Sequence, residues 1–152
     1  MEIKYKIMRN GAKAPCYATN GAAAADLCAV CDDGGITLAP GERTMIPTGI
    51  AIELPDNGYA AYVFARSGIA IKHGIALSNG VGVIDSDYRG EISVGLINQS
   101  NEAYTIQNGE RIAQIAIMPV IIPSFTLCDE LCATPRGNGG FGSTGKTNII
   151  AT

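Results

Sequence analysis

The sequence predicts an all-β sandwich or barrel built as one domain, and three observations carry that prediction. Strand-length segments recur along the chain, glycine and proline turns separate them, and no long segment carries an apolar stripe of 3.6-residue period. Alternation, the period of a half-buried strand, is visible in Ala60-Ala-Tyr-Val-Phe-Ala65 and Ile92-Ser-Val-Gly-Leu-Ile-Asn98. With 152 residues, the chain can bury about 68–70% of its unfolded surface in a single core.

The clearest strands are Ile3 to Met8, Thr44 to Leu54, Tyr59 to Phe64, Gly80 to Ile84, Glu91 to Asn98 and Arg111 to Ile122. Turn chemistry separates them at Ala39-Pro-Gly41, Pro55-Asp-Asn-Gly58, Asn98-Gln-Ser-Asn101 and Gln107-Asn-Gly109. One short helix is predicted, Ser67 to His73, closed by Gly74. A β-domain over residues 1–135 is then followed by a flexible, glycine-rich C-terminal arm, 136–152, in which Gly137 to Gly145 holds five glycines.

Hydrophobic residues make up 47% of the chain and charged residues 16%, and the mean hydropathy is +0.17. That surplus points to surface buried between subunits. A net charge of −3 with 11 basic residues argues against a nucleic-acid partner. No run of 18 apolar residues is present, and Met1 to Met8 lacks the apolar core of a signal peptide, so no membrane association and a cytoplasmic location are expected. The five cysteines are an odd count. Cys28-x2-Cys31 and Cys128-x3-Cys132 have zinc-like spacings but lie far apart in the chain, and structural or free thiols are the favoured reading. His73, the only histidine, sits in what reads as a capped turn, not as a catalytic base.

Gly140 to Thr147 matches the phosphate-loop pattern G-x-x-x-x-G-K-[ST]. That pattern works between a buried strand and a helix, whereas Ala133 to Asn138 reads as turn and only Asn148 to Thr152 follow. The phosphate chemistry is kept and the loop architecture is rejected. Arg136, Phe141, Ser143, Thr144 and Lys146 place charge, a stacking face and hydroxyls among the glycines, as suits an arm that closes over a phosphate-bearing ligand.

Four further segments carry chemistry. Asp26 is a lone carboxylate in the apolar run Gly21-Ala-Ala-Ala-Ala-Asp-Leu-Cys-Ala29, and must be paired, hydrated or near a metal. Arg66, Ser67 and Gly68 set a guanidinium, a hydroxyl and a backbone N–H at a strand-to-helix turn, which suits an oxyanion or an ordinary helix cap. In Gly82-Val-Ile-Asp-Ser-Asp-Tyr-Arg-Gly-Glu91, Asp85 follows Val83 and Ile84, where partial desolvation would make it a usable general base. Asp87 and Glu91 read as turn solvation. Gly109-Glu-Arg-Ile-Ala-Gln-Ile115 opens an apolar strand with Arg111 and Gln114, both of which need partners; an ion pair of Arg111 with Asp87 or Glu91 is expected.

Taken together and in this order, the segments resemble the five motifs of the trimeric deoxyuridine triphosphate nucleotidohydrolases (dUTPases). The third, fourth and fifth motifs are nearly letter-perfect as Gly82 to Glu91, Gly109 to Gln114 and Arg136-Gly-Asn-Gly-Gly-Phe-Gly-Ser-Thr-Gly145. The second fits as Arg66-Ser-Gly68 followed by Ile69-Ala-Ile-Lys-His-Gly74. The first departs, with Ala23-Ala24 where Ala-Gly is usual, an added methyl that reshapes the turn without removing Asp26.

The resemblance implies a β jelly roll and a homotrimer whose active sites are shared between subunits. It implies cleavage of dUTP to dUMP and pyrophosphate, which limits uracil in DNA and supplies dUMP for dTMP synthesis. Asp85 would activate the water that attacks the α-phosphorus. Tyr88 would pack on the deoxyribose and exclude a 2′-hydroxyl, while Asn79 and the backbone of Gly82, Val83 and Ile84 would read uracil. Asp26 would hold Mg2+ through water, the ion arriving on the triphosphate. Arg66, Ser67, Gly68 and Gln114 would bind phosphate. On the arm, Arg136, Gly142, Ser143 and Thr144 would clamp the outer phosphates and Phe141 would cover the base. Two rivals share the fold. A dCTP deaminase places a catalytic glutamate at the Asp85 hairpin and lacks the fifth motif, and a regulatory protein-binding relative has no need of Asp85, Tyr88 and Phe141.

Overall fold

The computed structural model describes residues 1–143. The chain divides into two compact units, Met1–Ile122 and Pro123–Thr152, the second described as far as Ser143. In the first unit the elements run β1 Lys4–Ile7, β2 Ala25–Cys28, β3 Ile36–Leu38, β4 Arg43–Pro47, β5 Ile50–Glu53, β6 Tyr59–Ala65, α1 Ser67–His73, β7 Ile75–Leu77, β8 Gly82–Ile84, β9 Ser93–Asn98, β10 Tyr104–Ile106 and β11 Arg111–Pro119. The strands form a four-stranded sheet in the order β2-β11-β6-β8, a three-stranded sheet β4-β9-β7, and the pairs β1-β5 and β10-β3. Every pairing is antiparallel, and the architecture is a β jelly roll.

Aliphatic residues from both main sheets meet in one core, where Leu27, Leu38, Ile46, Ile50, Ile75, Leu96, Ile106 and Ile112 are fully buried. Truncating any one of them to alanine removes about 2–5 kcal/mol. The polar exceptions are satisfied. Asn98 is wholly buried, donates to the carbonyls of Leu38 (2.9 Å) and Glu102 (2.7 Å), and accepts from the Ser100 amide and hydroxyl at 2.9 and 2.8 Å.

Helix α1 matches the predicted range. Gly74 closes it with left-handed backbone (φ +67°), its N–H donating to Ala70 and Ile69, and a Cβ there would lie 2.7 Å from the Ser100 amide nitrogen. Lys72 and His73 in the last turn complement the helix dipole. The helix buries only Ile69, so its opposite end presents Arg66 and Ser67.

The expected single strand Thr44 to Leu54 is two strands broken at Gly49. Gly49 takes φ +69°, and a Cβ there would sit 2.5 Å from the Ala12 Cβ. Its carbonyl accepts from the Met8 amide at 2.7 Å, and its N–H donates to Glu91 Oε1 at 2.8 Å. Arg9 Nε donates to both Glu91 oxygens, at 2.7 and 2.9 Å. Strands β2, β3, β7 and β10 span only three or four residues each, too few for alternation to declare them, and the predicted strand to Ile122 stops at Pro119.

This corner generates two expectations. Gly49→Ala should lower stability by at least about 2 kcal/mol in urea unfolding, because a side chain there meets both a disfavoured φ and a packed neighbour. Arg9, above all, and the Gly49 amide hold the Glu91 carboxyl below its ordinary range. A depressed carboxyl stabilises the fold above its unfolded value and loses that contribution as pH falls through the folded one. The urea midpoint should therefore drop between about pH 5 and about pH 3 more in the native sequence than in Glu91→Gln.

Candidate active site

Strand β8 lies at the end of the four-stranded sheet and pairs only with β6, with Gly82 opposite Val63 and Ile84 opposite Ala61. Its close approach uses the missing side chain of Gly82, whose Cβ would lie 3.1 Å from the Val63 Cβ. Beside β8 opens a cavity of about 240 Å³ onto which Asn79, Gly82, Val83, Ile84, Asp85 and Tyr88 converge. Asn79 reaches it from the turn after β7, and Asp85 and Tyr88 from the turn after β8. Arg89 pins the second turn by donating to the carbonyls of Ser86 (2.7 Å) and Tyr88 (3.0 Å). The Tyr88 ring lies against Gly90, and its hydroxyl donates to the Glu91 carbonyl at 2.9 Å. Asp85 is exposed, so the desolvation expected from Val83 and Ile84 is not supplied by this single chain.

A second cluster forms where β2, α1 and β11 meet. Asp26 is 6% exposed and takes Arg66 Nε on one carboxylate oxygen at 2.7 Å and an Arg111 guanidinium nitrogen on the other at 2.9 Å. The expected pairing of Arg111 with Asp87 or Glu91 is therefore corrected. Arg111 opens β11 opposite Cys28 of β2, a register shift between Arg111 and Ala113 re-aims it, and the β8–β9 turn lies two strands away. Glu91 is likewise no solvated turn residue, since Arg9 and Gly49 hold it. Arg66 also donates to the Arg111 carbonyl at 3.2 Å. Gln114 finds its partner in the Ala65 carbonyl at 3.0 Å.

Two guanidiniums share one carboxylate here, and with Lys72 they leave net positive charge at a groove of about 410 Å³ that Gly68, His73 and the Glu110 carboxylate also line. Ser67 and Gly68 are exposed at the start of α1. Ala24 takes no positive φ, since no non-glycine among the described residues does, and Asp26 is held in β2. Sequence reading missed Tyr104 in this groove. Its hydroxyl, pushed up to about 12 by burial and the Glu110 carboxylate, donates to Glu110 at 2.5 Å, and its ring lies 4.6 Å from that of His73. Its strand, β10, is too short to have announced itself.

Asp85 and Arg66 stand toward opposite ends of β6. Asp85 follows the residue opposite Ala61, and from there to Arg66 the sheet advances about 20 Å. In the second unit, Arg136 Nε donates to the Gly139 carbonyl at 2.9 Å, and Phe141, Gly142 and Ser143 are exposed in a turn. Thr144 and Lys146 lie outside the described residues. No strand enters the glycine-rich stretch among the described residues after Pro119. Cys28 is buried, Cys31 half-buried, and Cys16, Cys128 and Cys132 are exposed; all five are free thiols. Among the described residues no three His, Cys, Asp or Glu side chains gather as a metal cage, and no helix is long and apolar enough to cross a membrane.

Comparison with known proteins matches this arrangement to one family. The dUTPase family model covers residues 10–145. A deoxyuridine 5'-triphosphate nucleotidohydrolase of Desulfitobacterium hafniense is 55% identical over 145 residues, 95% of each chain. One from Aeromonas hydrophila is 52% identical over 132 residues, 87% of this chain and 86% of that protein. Among solved structures, the dUTPase of Staphylococcus bacteriophage 80alpha with dUPNHPP superposes with a TM-score of 0.86 at 25% identity, covering 95% of this chain and 99% of that one. A variant dUTPase of phage phi11 of S. aureus, in which a structural Mg(II) ion is coordinated, shares the fold with a TM-score of 0.78 at 20% identity, covering 88% of this chain and 100% of that one. With a family match over most of its length and relatives above half identity, this chain belongs to the dUTPase family and is an enzyme of that group.

Proposed function

We propose that this enzyme hydrolyses dUTP to dUMP and pyrophosphate in active sites shared between the subunits of a homotrimer. The observation that carries the reading is the convergence of Asn79, Asp85 and Tyr88 on one cleft beside an edge strand. An edge strand has unpaired N–H and C=O groups, and uracil presents an acceptor–donor–acceptor edge that such a ladder can match. Cytosine carries an amino group where uracil has a carbonyl and sets a donor against a donor. The Asn79 amide completes the base contact, and the Tyr88 ring fills the space a 2′-hydroxyl would need.

Asp85 orients a water on the α-phosphorus and takes its proton as the new P–O bond forms. The bond from the α-phosphorus to the bridging oxygen breaks, and pyrophosphate leaves. The rest is positioning and charge. Arg66, Ser67, Gly68 and Gln114 bind phosphate oxygens, Arg136, Gly142, Ser143 and Thr144 clamp the outer phosphates from the C-terminal arm, and Phe141 covers the base. Asp26 alone is no cage, so Mg2+ fits this chain as an ion carried on the triphosphate. Both Asp26 oxygens keep a second lone-pair direction beyond their arginines, enough to accept from metal-bound water, and the ion would offset phosphate charge.

The separation along β6 supports shared sites. A triphosphate is shorter than the about 20 Å between Asp85 and Arg66, so one chain's nucleoside cleft needs another chain's arginines. A neighbouring subunit would also supply the burial that Asp85 lacks. In the cell the activity would keep uracil out of DNA and provide dUMP for dTMP synthesis, in a cytoplasm that keeps the five thiols reduced.

Pyrophosphate release should be fast with dUTP, Mg2+-dependent, and near background with dCTP and dTTP; equal turnover of dCTP would sink the reading. Asp85→Asn should bind dUTP and lose about 10²–10⁴ in turnover. Sedimentation should give the mass of three chains, whereas an active single chain would overturn the shared sites.

A further inference from the structure

We propose that Arg9, acting through Glu91, is a positioning residue for Tyr88 and so sets how strictly the site refuses a ribonucleotide. The inference rests on the reading of Tyr88 as the residue that meets the sugar. Steric exclusion works only if the excluding ring cannot retreat, and Tyr88 has little of its own to hold it: its residue is 45% exposed. Two contacts define the ring's place. Its hydroxyl end lies on Gly90, where a Cβ would come within 2.6 Å of the Tyr88 Cζ, and its hydroxyl donates to the Glu91 carbonyl at 2.9 Å. That hydroxyl bond is the polar tether of the ring.

The Glu91 carboxylate is fixed by two donors. Its Oε1 accepts from the Gly49 amide at 2.8 Å and from Arg9 Nε at 2.7 Å, and its Oε2 accepts from the same Arg9 nitrogen at 2.9 Å. The next residue, Ile92, donates its amide to Ile50 at 2.8 Å and accepts the Thr48 hydroxyl at 2.6 Å. The Glu91 side chain is 17% exposed and lines the cleft itself, whereas that of Arg9 is 52% exposed and lies outside the five motifs. Arg9 thus ties the segment after β1 to the wall of a cleft formed some eighty positions later. Without it, the Glu91 carboxylate keeps only the Gly49 amide, and the carbonyl that anchors the tyrosine hydroxyl is held only through the Ile92 amide bond to Ile50. A shift of about 1 Å in a positioning group is enough to change rates by orders of magnitude.

The readout is the ratio of kcat/KM for dUTP to that for UTP in the full-length enzyme with Mg2+, beside the urea unfolding midpoint. Arg9→Ala, Glu91→Gln and Tyr88→Phe should each lower the ratio by about tenfold, and Arg9→Lys should restore part of it. The double variant Arg9→Ala/Tyr88→Phe should be no less selective than Tyr88→Phe alone, because both changes release the same ring. A ratio within about twofold of the native enzyme in both Arg9→Ala and Glu91→Gln, with only the unfolding midpoint lowered, would make the pair merely structural and overturn the proposal. If Tyr88→Ala loses the preference for dUTP and Arg9→Ala does not, the proposal alone falls. If Tyr88→Ala keeps the full preference, the reading of Tyr88 falls and takes the proposal with it.

Discussion

A buried carboxylate is costly unless it is paired, and Asp26 is where this fold meets that cost. Its two oxygens hold two guanidiniums, one from the start of α1 and one from the start of β11, so a single charge joins three elements distant in sequence. Removing any one of the three strands the others: an unpaired Asp26 is a buried anion, and unpaired arginines lose their aim. The same arrangement leaves a surplus of positive charge at the groove. On the proposed reading, structural necessity and phosphate affinity are one interaction.

Strand β6 is the second organising feature. It pairs with β11 along its whole length and with β8 over its central residues Ala61 to Val63, so it is the ruler against which both clusters are set. Asp85 and the arginine cluster lie toward its two ends, about 20 Å apart along the strand. On the proposed reading, an assembly places one chain's first end beside another's second, and the apolar composition of this small, acidic protein is consistent with such contact.

Much of this was legible in the residues. The all-β class followed from turn spacing and alternation, α1 from its capping glycine, and the clustering of Asn79, Asp85 and Tyr88 from contiguous motifs that a hairpin brings together. What was not legible depends on register. Nothing in the sequence near Arg111 says that a bulge aims it at Asp26 and not at Asp87 or Glu91, because strand order decides which carboxylate is in reach. Glu91 looked like turn solvation because its partners, Arg9 and Gly49, are remote. Gly49 itself hid a sharp corner inside what read as a continuous apolar strand. Tyr104 belonged to a strand too short to carry a period.

The edge position of β8 has a consequence for how selectivity can change over time. On the proposed reading, the base is recognised largely by main-chain atoms, which every amino acid possesses. Substituting the outward Val83 therefore leaves the recognition groups in place, and drift on that strand is buffered. A one-residue slip of β8 along β6 would turn every side chain of the strand to the opposite face while the outward N–H and C=O pattern stays in place. On that reading, base choice depends on the course of the main chain more than on composition. New base preference is then reached more readily by insertion or deletion in the flanking turns than by point substitution in the strand.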